Sequence, residues 1–120
     1  MPYRVIVAGS RRFADYARMC ADLDYLLSAR FPDVEIVSGG APGADALGER
    51  YARQHGLACR VVRADWRTYG RAAGPLRNVA MAALADAAVV YWCPGSRGSA
   101  SMVRAAQQRG LRCVVRRFEP

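Results

Sequence analysis

The sequence predicts a doubly wound α/β domain built on a five-stranded parallel sheet, and three observations carry that prediction. Short apolar runs alternate strictly with helical segments along all 120 residues. Four glycine-bearing loops, AGSRRF, SGGAPGAD, ADWRTYGRAAGP and PGSRGSAS, each follow one of those runs. No linker, low-complexity tract or repeat interrupts the alternation, so residues 1–120 read as one domain. Right-handed crossovers between successive strands then favour the order 3-2-1-4-5. In that order the first and fourth strands meet at the point where ligands bind beyond the strand ends.

Each element has its own justification. The first strand is Arg4 to Ala8. The first helix is expected over Asp15 to Arg30, with Tyr16, Met19, Leu23, Leu26 and Leu27 at helical spacing and Pro32 closing it. The second strand is Val34 to Ser38. The second helix runs from about Ala44 to His55, turns Leu47, Tyr51 and Ala52 inward, and stops at Gly56. The third strand covers Ala58 to Arg63, and a longer loop leads to the third helix. Pro75 suits that helix's first turn, where its missing N–H costs nothing, and the helix lasts to about Ala85. The fourth strand, Ala87 to Cys93, is apolar on both faces, as a central parallel strand requires. Ser99 is placed to cap the fourth helix, which ends at Gly110, and the fifth strand is Arg112 to Arg116.

Composition narrows the function. The net charge is +8, and all 18 basic residues are arginine. A GC-rich codon bias produces that pattern as readily as a nucleic-acid surface does, so the charge argues for anionic ligands in general. No apolar run approaches the ~18 residues of a membrane span. The opening MPYRVIVAGS lacks the apolar core of a secretory signal, which predicts a cytoplasmic protein without membrane association. Cys20, Cys59, Cys93 and Cys113 form no CxxC pair and read as reduced core residues, with Cys93 the one alternative nucleophile. His55 is expected to serve the carbonyls at a helix end. One histidine and unpaired cysteines leave no metal site.

The loops carry the chemistry. In the first, Gly9, Ser10 and Arg11 lie at the expected switch point. In SGGAPGAD, Gly39, Gly40 and Gly43 can take φ values closed to other residues, while Pro42 stiffens the loop. Asp45 follows in the first turn of the second helix, either as a partner of the helix dipole or as an acceptor for ribose hydroxyls or a base. In the last loop Pro94, Gly95, Ser96, Arg97, Gly98 and Ser99 offer hydroxyls and amides at a helix start, which suit a phosphate. Arg12, Arg67 and Arg71 also sit in or beside these loops. Arg77 stands one turn into the third helix, next to Asn78, and is the strongest candidate for a phosphate clamp. Trp66 and Tyr69 either stack on a base or cover the sheet edge. With no GxGxxG and no lysine, the usual dinucleotide and P-loop motifs are absent.

The ordered set AGSRRF, SGGAPGAD, ADW, GPLRNVAM and ADAAVVYWCPGSRGSASM resembles the SLOG superfamily, closest to its YspA/cpYpsA-related group. The likeness runs from about Val5 to Val115. It implies a Rossmann-like fold, a nucleotide or ADP-ribose-like ligand under the loops, and a homodimer. Relatives include the Lonely Guy phosphoribohydrolases, the DNA-processing protein DprA and sensors of nucleotide-derived signals. The hydrolases carry PGGxGTxxE and a preceding arginine. Here Pro94, Gly95, Gly98, Ser99 and Arg77 match, while Met102 stands at the glutamate position. A thioether handles no proton and stabilises no oxocarbenium ion. The expectation is therefore a nucleotide-binding module, a sensor, carrier or sequestering protein, that requires no cofactor. A hydrolase with a relocated acid, Asp45 or Glu49 (or Asp65) beside Arg77, is the alternative. Single-stranded DNA binding is a third reading, and nucleic acid is the less expected partner because aromatics are few.

Overall fold

The computed structural model describes residues 1–120. Its sheet has the order β3-β2-β1-β4-β5, all parallel, as expected. The strands are β1 (Tyr3–Gly9), β2 (Val34–Ser38), β3 (Ala58–Val61), β4 (Ala87–Trp92) and β5 (Arg112–Arg117). Alternation along β1 sends Val5 and Val7 to one face of the sheet and Ile6 and Ala8 to the other. The first face is covered by α1 (Tyr16–Leu27) and α2 (Ala44–Gln54) through Met19, Leu23, Leu27, Tyr51 and Ala52. The second is covered by α4 (Ala73–Leu84) and α5 (Arg97–Gln108) through Met81, Ala82, Met102, Ala105 and Ala106. β4 is buried from Ala87 to Tyr91, the central position its apolar run predicts.

The departures from the predicted boundaries have local causes. The first helix stops at Leu27 rather than Arg30, and the chain turns through 28–30 before Pro32. Asp15 is its N-cap and accepts the Arg18 amide at 3.0 Å. The longest loop is itself helical. Asp65 caps a one-turn helix, α3 (Trp66–Tyr69), by accepting the Thr68 amide at 3.1 Å, and a 3₁₀ turn over Gly70–Ala72 continues into α4. Pro75 is therefore the third residue of α4, where the amide still has no intrahelical acceptor. Ser99 does not cap α5. Ser96 is the N-cap, and Ser99 lies in the first turn with its hydroxyl 2.7 Å from that of Ser96. Cys59 is exposed on the edge strand β3 rather than in the core. His55 does serve a helix end, with Nδ1 2.9 Å from the Tyr51 carbonyl.

Candidate functional site

The strand ends open into a cleft of about 850 Å³ at the β1–β4 switch point. That volume lies in the range of small-molecule sites. The first and last loops form its walls: Gly9 at the end of β1 with Ser10, Arg11 and Arg12 after it, and Pro94, Gly95, Ser96, Arg97, Gly98 and Ser99 after β4. α4 contributes Arg77, Asn78 and Met81, and α5 contributes Ser101, Met102 and Arg104. Trp66 and Arg71 stand at the cleft from the helical segment before α4. The topology thus brings together most of the predicted residues, and Met102 lines the cleft although its side chain is buried.

Gly39, Gly40 and Gly43 do not line this cleft. The β1 loop occupies the space in front of them. The Ala44 amide, at the start of α2, donates to the Ser10 carbonyl at 3.2 Å, so the protein's own β1 loop lies against that helix start. Gly43 has φ 78°, and a Cβ there would run into the backbone of Ser10 and Arg11. Gly39 makes way for the side chains of Arg77 and Asp45, and Gly40 faces Arg63 and Val61. These glycines admit the protein's own groups. Glu49 also stands outside, its carboxylate accepting the Ser38 hydroxyl at 2.7 Å. Arg67 and Tyr69 are likewise absent from the lining.

α5 starts at the cleft, whereas α2 starts against the β1 loop. Its first amides have no intrahelical acceptor, and the Ser96 side chain does not cap them. The Ser99 hydroxyl is buried and points to the Tyr91 carbonyl at 3.5 Å. Hydroxyls, free amides and the positive end of the helix dipole form the groups that suit an anion.

Six of the arginines line the cleft. Outside it, Arg4 and Arg60 pair with Glu35, Arg18 and Arg116 with Asp22, and Arg30, Arg50 and Arg117 lie over aromatic rings, whereas Arg53, Arg63, Arg67, Arg109 and Arg112 make neither kind of contact. Arg11, Arg12, Arg71, Arg97 and Arg104 have none of these contacts and all line the cleft. Arg77 is partly engaged. Its Nη1 donates to the Gly39 carbonyl at 2.7 Å and its Nε to Asn78 Oδ1 at 2.9 Å. Those two bonds use two of its five N–H donors. Asn78 in turn donates to the Ser101 hydroxyl at 3.0 Å, which fixes α4 against α5.

Asp45 is the one carboxylate in the lining, and it is 4% exposed. Burial pushes its pKa up to about 6, against the opposing pull of the Ala41, Gly9 and Gly39 amides and the Arg77 guanidinium. The Ala41 amide donates to Oδ2 at 3.4 Å. Asp45 is thus an acceptor held against the ends of β1 and β2, available to hydroxyl or N–H donors of a ligand. Sequence reasoning missed Ser101 and Arg104. Helical spacing contains the signal, because positions 97, 101 and 104 repeat at i, i+4 and i+7 and share one face of α5.

A parallel α/β domain of this order, with its loops gathered over the switch point, fits the superfamily that the motifs indicate. The chain belongs to the YspA, cpYpsA-related SLOG family, whose model matches residues 3–69. Gene 61 protein of Mycobacterium phage D29 is 35% identical over 114 residues, covering 90% of this chain and 91% of that protein. Among solved structures, DNA processing protein A of Helicobacter pylori, described for its single-stranded DNA binding mode, superposes with a TM-score of 0.71 at 21% identity. That match covers 95% of this chain and 65% of the other. The structural-genomics target TM1055 matches at a TM-score of 0.66 and 17% identity over 94% of this chain and 72% of its own. DprA of Streptococcus pneumoniae matches at 0.57 and 19%, over 97% and 59%. The chain therefore spans less than two thirds of either DNA-processing protein, and at these identities the likeness is one of fold.

Proposed function

We propose that this protein binds a phosphate-bearing, nucleotide-derived small molecule in the switch-point cleft and releases it intact, as a sensor, carrier or sequestering protein. The observation that carries this reading is the set of five unpaired arginines that, with Arg77, line the cleft at which α5 begins. Phosphate satisfies guanidinium forks and helix amides together. Asp45 supplies an acceptor for the hydroxyls or ring N–H groups of the rest of the ligand. At the position where phosphoribohydrolases place a glutamate, the apolar Met102 offers no proton transfer.

Asp45 also favours a second reading. A buried carboxyl with a pKa near 6 beside an arginine is the kind of group that general acid catalysis uses. Incubating stoichiometric protein with AMP overnight, followed by chromatography, separates the two. The binding reading predicts intact AMP. Free adenine that disappears in Asp45→Asn would establish the hydrolase.

Self-association belongs to the same proposal. Pro75, Leu76, Val79, Ala80, Ala83 and Leu84 form the outward face of α4, all exposed and none charged. A second copy of a chain of charge +8 meets no like charge along this stripe.

A further inference from the structure

Trp66 is the group in the cleft that a phosphate site alone leaves unexplained. It lines the cavity yet is 55% exposed, so it adds little to the core. Its position is nonetheless built. The Asp65 cap on the Thr68 amide holds the one-turn helix α3 on which it sits. Across from it, α4 carries Gly74, where a Cβ would come within 3.3 Å of the indole six-membered ring. Absence of a side chain at 74 therefore seats the indole edge against α4, while the rest of the ring stays open. Tyr69, one helical turn later and equally exposed, does not reach the cleft.

From this seat we infer that Trp66 is a stacking platform for a planar heteroaromatic base, and that the ligand is a base-bearing nucleotide rather than a sugar phosphate or a polyphosphate. The inference rests on the phosphate-binding reading of the cleft and specifies the other half of the ligand. Each observation has a physical counterpart. An exposed indole beside a cavity gains from being covered by an apolar face. A fixed ring loses little freedom on stacking, which preserves the gain. Arginines and hydroxyls further along the same cleft take the phosphates, so one molecule meets both kinds of wall.

The test uses ADP and inorganic pyrophosphate as probes, which carry the same diphosphate with and without a base. Trp66 and Trp92 are the two tryptophans, and Trp92 does not line the cleft, so Trp92→Phe leaves Trp66 as sole reporter. In that variant ADP should quench the fluorescence and pyrophosphate should not. By calorimetry, Trp66→Ala should weaken ADP binding roughly 10- to 100-fold, the size of a stacking contact, and leave pyrophosphate unchanged. Trp66→Phe should restore most of the loss. ADP and pyrophosphate binding with equal affinity, or ADP affinity unaltered in Trp66→Ala, overturns the platform while leaving the phosphate site standing. Failure of both probes to bind overturns the two readings together. A fluorescence response to a thymidine oligonucleotide but not to ADP rejects a small-molecule ligand in favour of a single strand.

Discussion

At the residue scale, the cleft is a place where burial and charge oppose each other, and Asp45 shows which wins. Desolvation outweighs three amides and a guanidinium, leaving a carboxyl that titrates near pH 6 in the folded protein and near 3.9 in the unfolded chain. Because the folded pKa is raised, its contribution to stability is fully present below about pH 4 and is lost as pH rises through 6. Asp45→Asn, which has no proton to lose, should gain on the natural sequence over that window, by up to about 3 kcal/mol at pH 7. Chemical denaturation at pH 4, 5, 6 and 7 measures this. A difference independent of pH would mean that Asp45 is ionised throughout. The same scale shows where sequence reading misjudged the glycines. Gly39, Gly40 and Gly43 have the pattern of ligand-contacting loop residues, but close approach of the protein's own Ser10, Arg63 and Arg77 demands the same residue type. A string of glycines says that something approaches; it does not say what.

At the element scale, legibility followed burial. β1, β2, β4, α1, α2 and α5 were readable within a few residues because each presents an apolar period to one of the two core clusters, whereas the edge strand β3 is exposed along its length and ends at Val61, short of Arg63. α3 and the 3₁₀ turn were not, since Trp66 to Ala72 is exposed throughout and has no buried stripe to reveal a helix. Their existence rests on a local cap, Asp65 to Thr68. The two helix starts at the sheet edge also look alike in sequence and differ in use. α2 begins against the Ser10 carbonyl, whereas α5 begins at the cleft. Only the three-dimensional path of the β1 loop separates them. α5 then projects Arg97, Ser101 and Arg104 from one face, while Arg109 at its far end lies away from the cleft.

At the scale of the whole molecule, the positive charge and the apolar stripe on α4 are complementary features. In the proposed self-contact the like charges of two copies meet everywhere but along a face that carries none. Val79→Glu places two like charges at the centre of the proposed self-contact while leaving the core untouched, because Val79 is 55% exposed. Light scattering at tens of micromolar should give a dimer for the natural sequence and a monomer for the variant. A natural chain that is already monomeric would remove α4 as an interface. No helix is long and apolar enough to cross a membrane. The arginines of the cleft are the central claim, and a calorimetric titration with ADP tests it most directly. The natural protein should bind one ADP per chain. The double variant R97A/R104A should bind about tenfold to a hundredfold more weakly, two charge-assisted contacts having been lost, and R109A should match the natural protein. ADP affinity that is identical in all three proteins, or an absence of binding heat with ADP alongside tight binding of a thymidine oligonucleotide, would contradict it.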